Sequence, residues 1–175
     1  MPDLELLLLR HAKAVLGEPG MADFDRPLAE RGQKAAKLMG RYLAEHDLVP
    51  DLALCSPARR TMETWENAAR ELPKAELRVL DALYDFGDGS VQLHAIRQHG
   101  GSARRLLLVG HNPAIQSLAL ALAGHGETAL RRRMLEKYPT AGLAVIGFPA
   151  ARWPDVAEGK GHLQAFIRPR DLGGA

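Results

Sequence analysis

Two stretches of this chain are apolar at every position, residues 6–9 (LLLL) and 106–109 (LLLV). Successive side chains of a strand point to opposite faces. A strand that is apolar throughout therefore needs cover on both sides, as in a parallel sheet sandwiched between helices. The rest of the chain fits that demand by alternating strand-like and helix-like runs. Residues 4–9, 52–55, 76–80, 105–110, 142–148 and 162–167 read as strands. Between them, residues 33–47 carry Ala35, Ala36, Leu38, Met39, Tyr42 and Leu43 at helical spacing. Met62, Trp65, Ala69 and Leu72 mark one face of a second helix, and residues 90–99 and 114–123 read as two more. Ser56-Pro57 and Asn112-Pro113 each look like a cap followed by a first-turn proline. The expected fold is α/β, a three-layer arrangement with a mostly parallel central sheet and helices on both faces. The last two strands have no helix between them, so one of them is expected to run antiparallel.

At 175 residues the chain is expected to form one domain, 1–175, large enough to bury a core unaided. A net charge of +2 is too small for a nucleic-acid surface. The one dense basic run, Arg131, Arg132 and Arg133, reads as a solvated helix end or a local anion or partner contact. A single cysteine, Cys55, excludes an intramolecular disulfide and fits a reducing compartment. The apolar N-terminal run is too short for a signal peptide or a membrane span, so a cytoplasmic protein with no membrane contact is expected.

Ligand sites in open α/β sheets gather beyond the carboxyl ends of the strands. Three such ends carry reactive groups: Arg10-His11, then CSPARRT with Arg60, then VGHNP with His111. Parallel topology puts all three on one edge. A guanidinium fork matches phosphate oxygens, and a helix start adds free N–H groups and a favourable dipole. An imidazole with one neutral ring nitrogen is a nucleophile when its other N–H is held. Together these residues describe a phosphoryl pocket in which Arg10 holds the group that His11 attacks. Taken singly, a histidine at a strand end is more often a surface residue. The coincidence at three strand ends carries the reading.

The segments LLLLRHAKA, RPLAERG, CSPARRTMET and LLVGHNP, in this order, resemble the histidine phosphatase superfamily, with its phosphoglycerate mutase-like fold. The short length and RHA in place of RHG resemble the small SixA-type phosphohistidine phosphatases. The resemblance implies that His11 is the phosphorylated nucleophile and that Arg10 and Arg60 bind the phosphate. It also implies that His111 contacts the transferring group, and that no cofactor or metal takes part. Arg10, Arg60 and a protonated His111 are then the expected source of positive charge. The implied substrate is a phosphohistidine-bearing protein, such as a phosphotransfer protein, or else a small phosphate ester. A module that binds phosphoryl groups without catalysis is the remaining alternative.

One departure concerns the proton donor. Larger members carry a glutamate after the third strand, where this chain offers only Asp81 and Asp85; Asp23 is a further candidate. Lys13 could border the pocket or simply be solvated. The stretch 84–106 is too short for a large helical lid, and an open site favours a side chain presented on a protein surface. Cys55 precedes Arg60 by one residue too few for a cysteine phosphatase, and no phosphate-binding loop ending in Gly-Lys-Ser/Thr occurs. Zinc at His11 and His111 would lack further ligands and would face two arginines.

Overall fold

The computed structural model describes residues 2–174. In chain order its elements are β1 (Leu4–Arg10), α1 (Glu30–Glu45), β2 (Leu52–Cys55), α2 (Arg59–Ala69), β3 (Glu76–Val79) and α3 (Ser90–His99). There follow β4 (Arg105–Gly110), α4 (Ala114–Leu122), β5 (Ala123–Gly126), α5 (Thr128–Glu136), β6 (Leu143–Phe148) and β7 (Gly161–Ile167). The strands make one seven-stranded sheet in the order β3-β2-β4-β1-β6-β7-β5. β1, β2, β3 and β4 are mutually parallel, whereas β6 runs antiparallel to both β1 and β7. β6 is thus the reversed strand of the final pair.

Leu6, Leu7, Leu8 and Leu9 are all fully buried. Each such leucine stabilises the fold by about 1.5–3 kcal/mol relative to exposure, which fixes β1 at the centre. Alternation sorts them into two cores. Leu6 and Leu8 face Ile96, Ile115, Leu118, Met134 and Trp153, on the side of α3, α4 and α5. Leu7 and Leu9 face Met39, Leu43 and Trp65, on the side of α1 and α2. The three-layer α/β architecture read from the sequence is therefore present.

Several local expectations differ. Ser56 and Pro57 do not open α2; Ala58 is its cap, because Ser56 is drawn back beneath His111. Likewise Pro113, not Asn112, stands at the start of α4, although Asn112 Oδ1 accepts the Gln116 N–H at 3.2 Å. β5 and α5 were not legible. AGHG has no apolar alternation, and α5 buries only Met134. The arginine run lies in α5 and splits between structural tasks. Arg131 donates to the carbonyls of Ala123 and Leu120 at the end of α4, and Arg133 pairs with Asp171 at 3.2 Å.

Candidate active site

The sheet order makes β2, β4 and β1 neighbours, and their carboxyl ends are level. Arg10 pairs with Gly110 across β1 and β4, and Cys55 pairs with Val109 across β2 and β4. The main chain stays in register one residue further: His11 N–H donates to Gly110 O at 3.0 Å, and Ser56 N–H donates to Val109 O at 3.1 Å. Arg10, His11, Ser56 and His111 therefore leave the sheet side by side. The rings of His11 and His111 are 5.5 Å apart. Arg60 arrives from the first turn of α2, with only 2% of its surface exposed. Of the four residues singled out from the sequence, all belong to this cluster.

Each side chain is held by the backbone around it. Arg10 Nη1 donates to Tyr138 O at 2.8 Å, and the buried Tyr138 hydroxyl donates to Leu8 O at 2.5 Å. His11 Nδ1 lies 2.7 Å from Ala12 O. A carbonyl only accepts, so Nδ1 carries the proton and Nε2 keeps its lone pair. His111 Nε2 lies 2.8 Å from Ser56 Oγ. The Nε atoms of Arg10 and Arg60 and the Nδ1 of His111 are buried without a partner among the described residues. Such groups are costly to leave unpaired, and their clustering beside two histidines marks a place built for an acceptor-rich ligand.

Burial, together with the facing arginines, pushes His11 down to about 4. Burial, His11 and Arg60 push His111 down to about 3. Both imidazoles are thus neutral at pH 7. The sequence reading expected a protonated His111; burial, helped by His11 and Arg60, favours the neutral ring instead. Cys55 is fully buried, and burial pushes its thiol up, out of reach of nucleophilic use.

Residues 12–29 form the pocket wall and are stitched to α2. Thr64 Oγ1 accepts the Ala12 N–H at 2.9 Å, and Glu63 accepts the Leu28 N–H at 2.9 Å. Gly32 lets α1 approach, since a Cβ there would sit 2.1 Å from Lys13 O. The wall delivers Asp23. Arg60 donates from Nη1 to Asp23 O at 2.8 Å and from Nη2 to Asp23 Oδ2 at 3.0 Å. Tyr84 donates its hydroxyl to the same carboxylate at 2.7 Å, and Arg26 donates to its other oxygen at 2.9 Å. Tyr84, then Arg26 and Arg60, hold the Asp23 carboxyl well below the usual carboxylate range. Asp85 is turned toward Gly87 N–H and the Gln92 amide, Asp81 is exposed in a 3₁₀ turn, and Lys13 is exposed. Tyr84, Phe86 and Phe24 line the mouth next to His111, a feature the sequence reading missed. Among the described residues no group of three or more His, Cys, Asp or Glu side chains is placed to hold a metal.

This constellation of an Arg-His pair at the first strand tip, an arginine after the second and a histidine after the fourth defines a class. The model of the histidine phosphatase superfamily (branch 1) matches residues 6–97, and the chain belongs to that superfamily of phosphatases. Within it the chain is SixA-like. It is similar to SixA from Agrobacterium tumefaciens, with 30% identity and a TM-score of 0.80 over 97% of this chain and 99% of that one. It is similar also to SixA from Nakamurella multipartitia, with 27% identity and a TM-score of 0.84 over the same shares. An uncharacterised protein of Mycobacterium tuberculosis is 38% identical over 93% of this chain and its own full length.

Proposed function

We propose that this protein hydrolyses phosphohistidine on a protein partner through a phosphohistidine formed on its own His11. The single observation that carries the substrate reading is the state of Asp23. Its carboxylate is ionised and accepts from Tyr84, Arg26 and Arg60, so it has no proton to give at neutral pH. An alkoxide leaving group needs one, because its conjugate acid is about as weak as water, pKa roughly 15.7. Imidazole leaves as a neutral molecule whose conjugate acid has a pKa of about 6.5. The SixA structures that this chain resembles bear the name phosphohistidine phosphatase, which supports the same choice.

In the first step His11 Nε2 donates its lone pair to phosphorus. The bond from phosphorus to the substrate's ring nitrogen breaks, and its electron pair stays on that nitrogen. The substrate ring enters protonated on its far nitrogen, so it departs neutral and no proton moves. His11 keeps its Nδ1–H on Ala12 O and becomes the cationic phosphoimidazole. In the second step water attacks phosphorus, the bond to His11 Nε2 breaks, and dihydrogen phosphate leaves a neutral His11. Arg10 and Arg60 meet the charge on the transferring oxygens through donors already fixed in place. With Ser56 donating to Nε2, His111 offers its Nδ1–H to the same oxygens. A module that merely binds phosphoryl groups has no use for a neutral, oriented His11.

We place the reaction in the cytoplasm, in one domain spanning 1–175, and without a metal. No helix among the described residues is long and apolar enough to cross a membrane. The test is a comparison of phosphohistidine protein with an alkyl phosphate. The expected ratio of kcat/KM is at least about a hundredfold, a modest share of what a general acid supplies to esters. Acid-free quench and mass spectrometry should find about 80 Da on His11, and His11→Ala should be inactive. Equal rates on both substrates would transfer the protein to the phosphomonoesterases. Full activity in His11→Ala would end the mechanism.

A further inference from the structure

Phe24 and Phe86 are 39% and 45% exposed, while the other two phenylalanines, Phe148 and Phe166, are 0% and 1% exposed. Both exposed rings stand at the mouth of the candidate active site. Tyr84 presents edge-to-face contacts to each, at 5.2 Å from Phe24 and 5.2 Å from Phe86. Phe86 is 4.8 Å from the His111 ring, and Tyr84 is 5.5 Å from it. The hydroxyl of Tyr84 is pinned on Asp23, which fixes the orientation of the ring between its two neighbours. Apolar rings are costly in water, so two of them held open beside a reactive histidine call for an occupant.

We infer that Phe24, Tyr84 and Phe86 form a platform that grips the planar leaving ring of the substrate, making this site selective for phosphoryl groups carried on a flat ring. The inference rests on the phosphohistidine reading and deepens it. A phosphohistidine presents an imidazolium, a planar cation. Arg10 and Arg60 repel that cation even as they bind the phosphoryl group. The negative faces of aromatic rings attract it, and ring pairs of this kind gain beyond the area they bury. The platform therefore offsets a conflict built into the pocket: an anionic group and a cationic ring on adjacent atoms. The ring system packs beside His111 and, with the Tyr84 hydroxyl committed to Asp23, supplies no donor to the phosphoryl oxygens, so it acts on the leaving half of the substrate.

The test uses the full chain, three small substrates and a phosphohistidine protein. N-phosphoimidazole has a P–N bond and a ring, phosphoramidate has a P–N bond and no ring, and phenyl phosphate has a ring on oxygen. Phe86→Leu and Phe24→Leu keep apolar bulk and remove the π face. In both variants kcat/KM on N-phosphoimidazole and phenyl phosphate is expected to fall about three- to tenfold, the range such ring contacts supply. On phosphoramidate it is expected to stay within about twofold, with an unchanged pH profile, because the phosphoryl contacts are untouched. An equal fall on phosphoramidate would overturn the inference, by showing that the rings only support His111. A fall confined to a phosphohistidine protein, with N-phosphoimidazole unaffected, would overturn it in favour of a surface that reads the carrier protein. The phosphohistidine reading fails separately: wild-type enzyme that cleaves phenyl phosphate as fast as N-phosphoimidazole would sink it, while the variant ratios would still decide the platform.

Discussion

Arg59 and Arg60 are adjacent and chemically identical, yet the fold gives them opposite situations. Arg59 is exposed and forms an i,i+4 pair with Glu63 at 3.0 Å. Exposed pairs of this kind contribute little. Arg60 is buried and spends two of its nitrogens on Asp23, leaving Nε free to face a ligand. Lysine keeps a charge but has no fork to satisfy Asp23 O, Asp23 Oδ2 and a phosphoryl oxygen at once. Arg60→Lys is expected to lower kcat/KM roughly ten- to a hundredfold, and Arg59→Lys to stay within about twofold, measured on the same substrate. A larger loss at Arg59 would mean that the register of α2 against the site is wrong. Arg60 was singled out over Arg59 by the family resemblance, through its spacing from Ser56, even though the helix begins later than Ser56-Pro57 suggested. Asp23 and Tyr84 were not legible as partners of Arg60, since they come from loops whose paths no periodicity encodes.

At the scale of elements, α1 and α2 cross so closely that a Cβ at Gly40 would lie 2.2 Å from Ala68 O. Alanine in a helix interior normally gains up to about 1 kcal/mol over glycine. Here the gain meets a contact with backbone, which has no rotamer to move, and overpacking costs typically about 1–3 kcal/mol. The clash wins, so Gly40→Ala is expected to destabilise the protein by about 1–2 kcal/mol, read from the midpoint of urea unfolding. A stabilised variant would show that the two helices can part. Such contacts explain what pattern reading misses. The stripe in α1 was visible from Met39 and Leu43, both fully buried. Gly40, the point of contact, contributes nothing to that apolar stripe. β5 and α5 were invisible for the opposite reason. They gain their place from β7 and α4, not from a pattern of their own. The strand tips that carry His11 and His111 were plain because an apolar run that stops at a reactive residue announces both the strand and its end.

For the molecule as a whole, the two histidines set how stability responds to acid. Both are neutral when folded, with values of about 4 and about 3, against an ordinary 6.5 in the unfolded chain. Between those limits the unfolded state binds more protons, so stability rises with pH. It is fully present above about pH 6.5 and declines as pH falls toward 4. Asp23, also lowered, from a carboxylate's ordinary 3.8, adds to the same trend but only in a lower window. The melting temperature is therefore expected to drop between pH 7 and 4.5, and His111→Gln to flatten that drop. An identical slope in the variant would place the acid sensitivity elsewhere. The position of β4 has its own consequence. β1 pairs with β4 and β6, and β2 pairs with β3 and β4, but β1 and β2 do not pair with each other. During synthesis the ribosome releases both early strands before the one that joins them. The four leucines of β1 then wait without a strand partner until Arg105–Gly110 has left the exit tunnel. The strand that carries His111 to the pocket is thus also the first to give β1 a partner, so the earliest relief of that exposure and the arrival of the second histidine fall to the same insertion.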